Sequence, residues 1–162
     1  MKRHTISVQV ENKFGVLSRV AGLFSGRGYN IESISVGETL DPKVSVMTIV
    51  TRGEDQIVEQ INKQLNKLID VIKVQDLYDV DHVEREMVLV KVAPPQEQKA
   101  EVLRLTEIFR GRVVDSSPKT YTIQITGDES KIEAFLELVK PMGVKEFVRS
   151  GKIAIAREKS KS

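Results

Sequence analysis

The sequence predicts an α+β protein made of two ferredoxin-like βαββαβ sandwiches, and three observations carry that expectation. Hydrophobic residues alternate between a strand period and a helix period in the order βαββαβ from the N-terminus to about Tyr78. The same order restarts near Val83. Cysteine is absent, so neither half has a disulfide or a sulfur-bound metal to hold it, and each must be stabilised by packing. A split βαβ order of this kind closes into an antiparallel sheet with both helices on one face.

In the first half, Ile6, Val8 and Val10 alternate with Thr5, Ser7 and Gln9, as in a strand with one buried face. Val16, Leu17, Val20, Ala21 and Phe24 then recur at helical spacing, and Gly26 and Gly28 close the helix. Ile34 and Val36 begin a second strand, Asp41-Pro42-Lys43 makes a turn, and Val44 to Thr51 is a β-branched run suited to burial on both faces. Ile57, Ile61, Leu65 and Leu68 form one stripe of a second helix, and Val71, Ile72, Val74 and Leu77 form a last strand. This gives a first domain over residues 1–78, with a linker at Tyr78 to His82.

The second domain is expected over residues 83–162. Met87 to Val92 reads as a strand, Pro94-Pro95 breaks it, and Val102, Leu105 and Phe109 mark a helix. Val113-Val114 is a short strand, Ser116-Ser117-Pro118 a turn, and Tyr121, Ile123 and Ile125 an alternating strand. Ile132, Phe135, Leu136 and Val139 give a helix that stops at Pro141, and Val144 to Val148 and Ile153 to Ile155 supply the final strand material, interrupted at Ser150-Gly151. Thr51-Arg52-Gly53-Glu54 and Thr126-Gly127-Asp128-Glu129 both place Thr-x-x-Glu between strand and helix, which predicts a capping box in each half. Units of about 80 residues bury only ~60% of their unfolded surface, so association of two copies through strand edges or helix faces is expected, giving a homodimer.

Composition excludes several function classes. Of 162 residues, 40% are apolar and 30% charged, as in an ordinary globular protein. No segment approaches the ~18 apolar residues of a membrane span. The N-terminus has a basic start but no apolar signal region, so a cytoplasmic location is expected. A formal net charge of +2 gives no footprint for a polyanionic partner, and the basic end formed by Lys152, Arg157, Lys159 and Lys161 reads as a solvated tail.

Catalytic and metal motifs fail on spacing. The two histidines, His4 and His82, do not form a His-x-x-x-His pair, and His82-Val83-Glu84 lacks the Cys-x-x-Cys that a zinc deaminase requires. Ser116 and Lys119 match Ser-x-x-Lys only inside a turn, and Gly26-Arg27-Gly28 ends a helix where a dinucleotide fingerprint would open one. The expectation is therefore a chain with no catalytic residues, no metal site and no cofactor of its own.

The informative stretch is Glu11-Asn12-Lys13-Phe14-Gly15-Val16-Leu17, between the first strand and the first helix. As a plain turn, it would have Asn12 capping the helix and Gly15 permitting a tight path. The same geometry suits a small anion, because a helix N-terminus offers unpaired N–H groups and a glycine lets a carboxylate approach the backbone. Gly15, Val16 and Leu17 are suited to an α-carboxylate, and the side chains of Asn12 and Asn30 to an ammonium group. Asn30 is expected to begin the strand after the helix, and an aliphatic side chain would fit the apolar wall.

Asn12-x-x-Gly15-Val16-Leu17, followed by Leu23-Phe24-Ser25-x-Arg27-Gly28-Tyr29-Asn30-Ile31-Glu32-Ser33, resembles the N-terminal ACT domain of acetohydroxyacid synthase (acetolactate synthase) regulatory subunits. His82-Val83-Glu84-Arg85-Glu86, Thr106-Glu107-Ile108-Phe109-Arg110-Gly111 and Arg149-Ser150-Gly151 are similar to that family's C-terminal domain. The resemblance covers nearly the whole chain. It implies a non-catalytic regulatory subunit in the synthesis of the branched-chain amino acids valine, isoleucine and leucine. Such a subunit activates a catalytic large subunit that carries thiamine diphosphate, Mg²⁺ and FAD, and makes it sensitive to feedback inhibition by valine. It also implies an effector site between two chains, with Asn12, Lys13, Phe14, Gly15, Val16 and Leu17 of one facing Asn30 and Ile31 of the other.

Two other readings share parts of this pattern. A free-standing ACT-type sensor of another enzyme fits the first half alone. An RNA-binding module shares the βαββαβ order, but the aromatic stacking motif is missing and aromatic residues make up only 5% of the chain.

Overall fold

The computed structural model describes residues 2–159. It divides into two compact units, one running to Val83 and resuming at Lys152, the other spanning Glu84–Gly151. Among the described residues no helix is long and apolar enough to cross a membrane.

The first unit contains β1 (Lys2–Glu11), α1 (Val16–Gly26), β2 (Ser33–Glu38), β3 (Val44–Gly53), α2 (Asp55–Asn66) and β4 (Val71–Asp76). Its antiparallel sheet has the order β2-β3-β1-β4. The central pair is long and regular, running from Lys2 opposite Gly53 to Glu11 opposite Val44. Period-two alternation turns Ile6, Val8 and Val10 to one face, where they meet Met47 and Ile49 of β3. The helices bury Val16, Val20 and Phe24 from α1, and Val58, Ile61 and Leu65 from α2, against that face. Each such side chain contributes about 1.5–3 kcal/mol relative to exposure. β3 is buried at Ser45 and from Met47 through Thr51, as its β-branched run predicts.

The second unit repeats the order with β5 (His82–Val92), α3 (Lys99–Ile108), β6 (Arg112–Ser116), β7 (Tyr121–Gly127), α4 (Glu129–Val139) and β8 (Val144–Arg149). Four of its strands run in the order β6-β7-β5-β8, the counterpart of the first sheet. Val88, Val90, Val92, Ile123 and Ile125 from the sheet meet Val102, Leu105, Ile132, Phe135 and Val139 from the helices. The correspondence reaches an irregularity, since the ladder of β1 with β4 shifts register at Gln9/Val10 and that of β5 with β8 shifts at Lys91/Val92.

Three local expectations are corrected. Neither Thr-x-x-Glu segment is a capping box. Thr51 and Thr126 lie inside β3 and β7, Glu54 at the N-cap of α2 makes no side-chain cap, and Asp128 caps α4 by accepting from the Lys131 N–H. Asn30 precedes β2, which starts only at Ser33. The C-terminal segment is not a frayed tail. It forms β9 (Ile153–Ala156) and groups with the first unit, where the Arg157 N–H donates to the Asp81 carbonyl at 2.8 Å. By compactness the second unit is Glu84–Gly151, while β9 pairs with β5. Lys152 is buried at 7% exposure, Lys159 is exposed, and Lys161 lies outside the described residues.

Both units end their first helix with the same hydrogen-bond motif but use glycine differently. After α1, the Gly28 N–H donates to Ser25 and the Tyr29 N–H to Phe24, with Gly28 left-handed at φ 70°. After α3, the Arg110 N–H donates to Glu107 and the Gly111 N–H to Thr106, so the left-handed position, at φ 54°, falls on Arg110. Gly111 is needed for space instead. A Cβ there would collide with Ile125 Cδ1 and lie 2.9 Å from the Gln124 carbonyl oxygen.

Two glycine substitutions should therefore move stability in opposite directions. Gly111→Ala overpacks a fixed contact and is expected to lower the unfolding free energy by about 1–3 kcal/mol. Gly22→Ala lies inside α1 with nothing within 4 Å of its new Cβ and should raise it by roughly 0.5–1 kcal/mol. Urea unfolding of both variants checks the signs.

Candidate amino-acid-binding site

The loop after β1 is tied to both neighbouring turns. The Glu11 N–H donates to the Asp70 carbonyl at 2.9 Å, and the Asn12 N–H to the Lys43 carbonyl at 2.8 Å. Asn12 does not cap α1. Its Nδ2 donates to Glu38 Oε1 and to the Pro42 carbonyl, each at 2.9 Å. Two acceptors facing one amide nitrogen fix which end of the amide is which, and they leave Oδ1 as an unused acceptor at the exposed rim.

Gly15 occupies the N-cap at φ 83°, where a Cβ would be strained, and α1 begins at Val16. The first N–H groups of a helix have no partner within the helix, so this turn carries a partial positive charge, although the Val16 N–H already donates to the Lys13 carbonyl at a long 3.4 Å. Arg19 adds a full charge. Its Nε and Nη2 hold Asp70 Oδ2 at 2.7 and 2.6 Å, and its Nη1 lies 3.1 Å from where a Cβ on Gly15 would stand. Neither Arg19 nor Asp70 stands out in the sequence, because they meet only when the turn before β4 comes beside the start of α1.

The other loop residues divide by exposure. Lys13 lies 2.8 Å from the Glu11 carboxylate, which holds its ammonium above the ordinary lysine range through a hydrogen bond and then through charge. Phe14 is fully exposed and Leu17 half-exposed, whereas Val16 is buried in the core and offers only its backbone.

Asn30 and Ile31 are held separately. The buried Thr51 hydroxyl donates to the Asn30 carbonyl at 2.6 Å, and the Glu32 N–H donates to the Val50 carbonyl at 2.8 Å. Glu32 also bridges Arg3 at 2.8 Å and Arg52 at 2.9 Å. Ile31 packs against the core, and the Asn30 side chain is exposed. Asn12 lies beside Lys43, at the start of β3, and Asn30 beside Thr51, near its end. At ~3.3 Å per residue the two are roughly 20 Å or more apart in one chain. One chain brings together Asn12 to Leu17 with Arg19, and does not bring Asn30 to them.

The comparisons with known proteins agree across the chain. A family profile described as the small subunit of acetolactate synthase matches residues 85–158, and one described as an AHAS small subunit-like ACT domain matches residues 6–73. The chain is 56% identical over 161 residues to the acetolactate synthase small subunit of Aquifex aeolicus, covering 99% of this chain and 84% of that protein. It is 48% identical over 156 residues to the acetolactate synthase isozyme 3 small subunit of Escherichia coli, covering 96% of each. The crystal structure of the acetolactate synthase small subunit from Thermotoga maritima aligns with a TM-score of 0.84 at 44% identity, covering 98% of this chain and 99% of that one.

The Thr51 hydroxyl is expected to hold the Asn30 segment in place. Thr51→Val keeps the shape and removes the donor to a carbonyl, which should cost about 1 kcal/mol of stability. Hydrogen exchange at Ile31 and Glu32 should quicken beyond that global change.

Proposed function

The chain belongs to the acetolactate synthase small-subunit family, and from that premise we propose that it is the valine-sensing regulatory subunit of the synthase. It activates the catalytic large subunit and transmits feedback inhibition to it. Thiamine diphosphate, Mg²⁺ and FAD belong to the large subunit, and the regulatory chain works in the cytoplasm as a homodimer.

One observation carries the effector site: its two halves lie at opposite ends of the β3 ladder. Gly15, Val16 and Leu17 take the α-carboxylate at the helix N-terminus, and the outward Asn12 Oδ1 takes one ammonium proton. Asn30 supplies a further acceptor from a second chain. β2 is the edge strand of its sheet, paired with β3 from Ser33 to Glu38 without a bulge, and an edge strand can accept another strand. Two such edges paired antiparallel bring the Asn30 end of one copy to the loop end of the other. The aliphatic side chain then lies near Leu17 and Phe14.

Purified alone, the chain should form no acetolactate from pyruvate, and added to its large subunit it should raise the rate. Turnover by the isolated chain would refute its regulatory assignment.

Gly15→Asp should abolish valine inhibition and leave activation in place. The added carboxylate sits within reach of Arg19 Nη1 and occupies the ligand's own position. Asn30→Ala should weaken valine binding roughly ten- to hundredfold through one lost bond to a charged group. Calorimetry with unchanged affinity in both variants would remove the site.

Because the pocket needs two chains, valine should also tighten the dimer. At a hundredfold excess over Kd each site adds ~2.7 kcal/mol to association. Sedimentation of dilute protein with and without valine measures it, and monomers that bind valine at full affinity would place the ligand within one chain.

A further inference from the structure

A second stripe on α1 lies beside the fully buried one and meets the core only through the half-buried Leu23. Arg19, Gly22, Leu23 and Gly26 recur at helical spacing beside the buried stripe of Val16, Val20 and Phe24. With Arg27 they form one wall of a groove of about 480 Å³, and Gln64, Lys67 and Leu68 at the end of α2 form the other. Leu23 and Leu68 are its apolar lining, half-buried against the core. Gly22 and Gly26 leave α1 bare along one side, and a Cβ at either would meet nothing within 4 Å.

The charge of this groove is only partly compensated. Arg27 Nη2 donates to Gln64 Oε1, a neutral acceptor, at 2.9 Å. Neither Arg27 nor Lys67 has a carboxylate partner among the described residues. Both are C-cap residues, of α1 and α2, so the helix ends offset part of their charge. Arg19 is paired with Asp70.

We propose that this groove docks an acidic helix of the catalytic subunit. The inference rests on the chain being a regulatory small subunit, and not on which amino acid it binds. Two bare glycines a helical turn apart let a partner helix approach backbone to backbone, Leu23 and Leu68 cover its apolar stripe, and Arg27 and Lys67 select carboxylates on its flanks. A second copy of this chain is the wrong occupant, since a symmetric contact would press Arg27 and Lys67 against the same charges. Arg19 joins this surface to the effector loop, lining the groove while its Nη1 reaches Gly15. A carboxylate at Gly15 draws on the guanidinium that borders the docked helix.

The test is a titration of the catalytic subunit's activity with this chain, without valine, for the wild type, Gly22→Leu and the double variant R27E/K67E. Gly22→Leu fills the groove without crowding the fold, and the charge reversal repels an acidic partner. Both should raise the half-saturating concentration by roughly tenfold or more, with steeper salt dependence in the wild type than in R27E/K67E. Thermal melting of each variant should stay at the wild-type value or above it for Gly22→Leu. Unchanged half-saturation in both variants overturns the proposal. A shift in R27E/K67E with none in Gly22→Leu also overturns it, by assigning the effect to diffuse charge attraction or a small bound anion. Calorimetry with valine on the wild type reads the effector site separately, so its failure leaves the groove standing.

Discussion

The ten-residue register between β1 and β3, from Lys2 opposite Gly53 to Glu11 opposite Val44, sets where the Asn12 loop and the Asn30 segment lie in the first unit. Because side chains alternate, this register turns Ile6, Val8 and Val10 toward the helices as one set; a slip by a single residue would expose all three. It also places the end of β1 against the start of β3, so that the Asn12 loop meets the turn carrying Glu38 and Pro42. By the same ladder Thr51 reaches Asn30 at the far end. The separation of the two halves of the proposed site follows from a strand length, and a two-chain site is its natural consequence.

The loop itself is organised by electrostatics more than by packing. Phe14 and Leu17 contribute little to the core, while Asp70, with only 10% of its side-chain surface exposed, anchors the guanidinium that overlooks Gly15. A buried carboxylate needs a partner, since leaving it unpaired is strongly unfavourable. Arg19 satisfies it with Nε and Nη2 and keeps Nη1 on the loop side. One ion pair thereby connects the helix start, the turn before β4 and the groove between the helices. A ligand acting on any one of these positions acts on the pair that joins them.

The two units show how one backbone plan is met by different residues. Each ends its first helix with the same pair of hydrogen bonds and distorts its central ladder at the same place, yet glycine takes the left-handed position only after α1. In the second unit Arg110 accepts the less favourable conformation and Gly111 is retained for clearance from Ile125. Arg27-Gly28 and Arg110-Gly111 look equivalent as letters. They are offset by one position in the motif.

Periodicity determined the βαββαβ order twice, most of the core stripe of each helix and the identity of the loop after β1, because burial on one face leaves a repeating mark in the chain; it erred where α1 and α2 begin, taking Leu17 and Ile57, which are exposed, into the stripes and missing the buried Val58. The resemblance carried by Gly15-Val16-Leu17 and Arg27-Gly28-Tyr29-Asn30 likewise needed no coordinates. Capping was misread at Asn12, Thr51 and Thr126, since a polar side chain near a helix start has several acceptors and donors within reach and only the fold decides among them. Asn12 goes to Glu38 and Pro42, and Thr51 to Asn30, through partners 21 to 30 residues away. The pairing of Arg19 with Asp70, the burial of Lys152 and the return of β9 to the first unit were equally invisible, because each depends on segments far apart in the chain. Local pattern reports which face is buried, whereas the choice of polar partner is a long-range contact that exists only once the strands have registered.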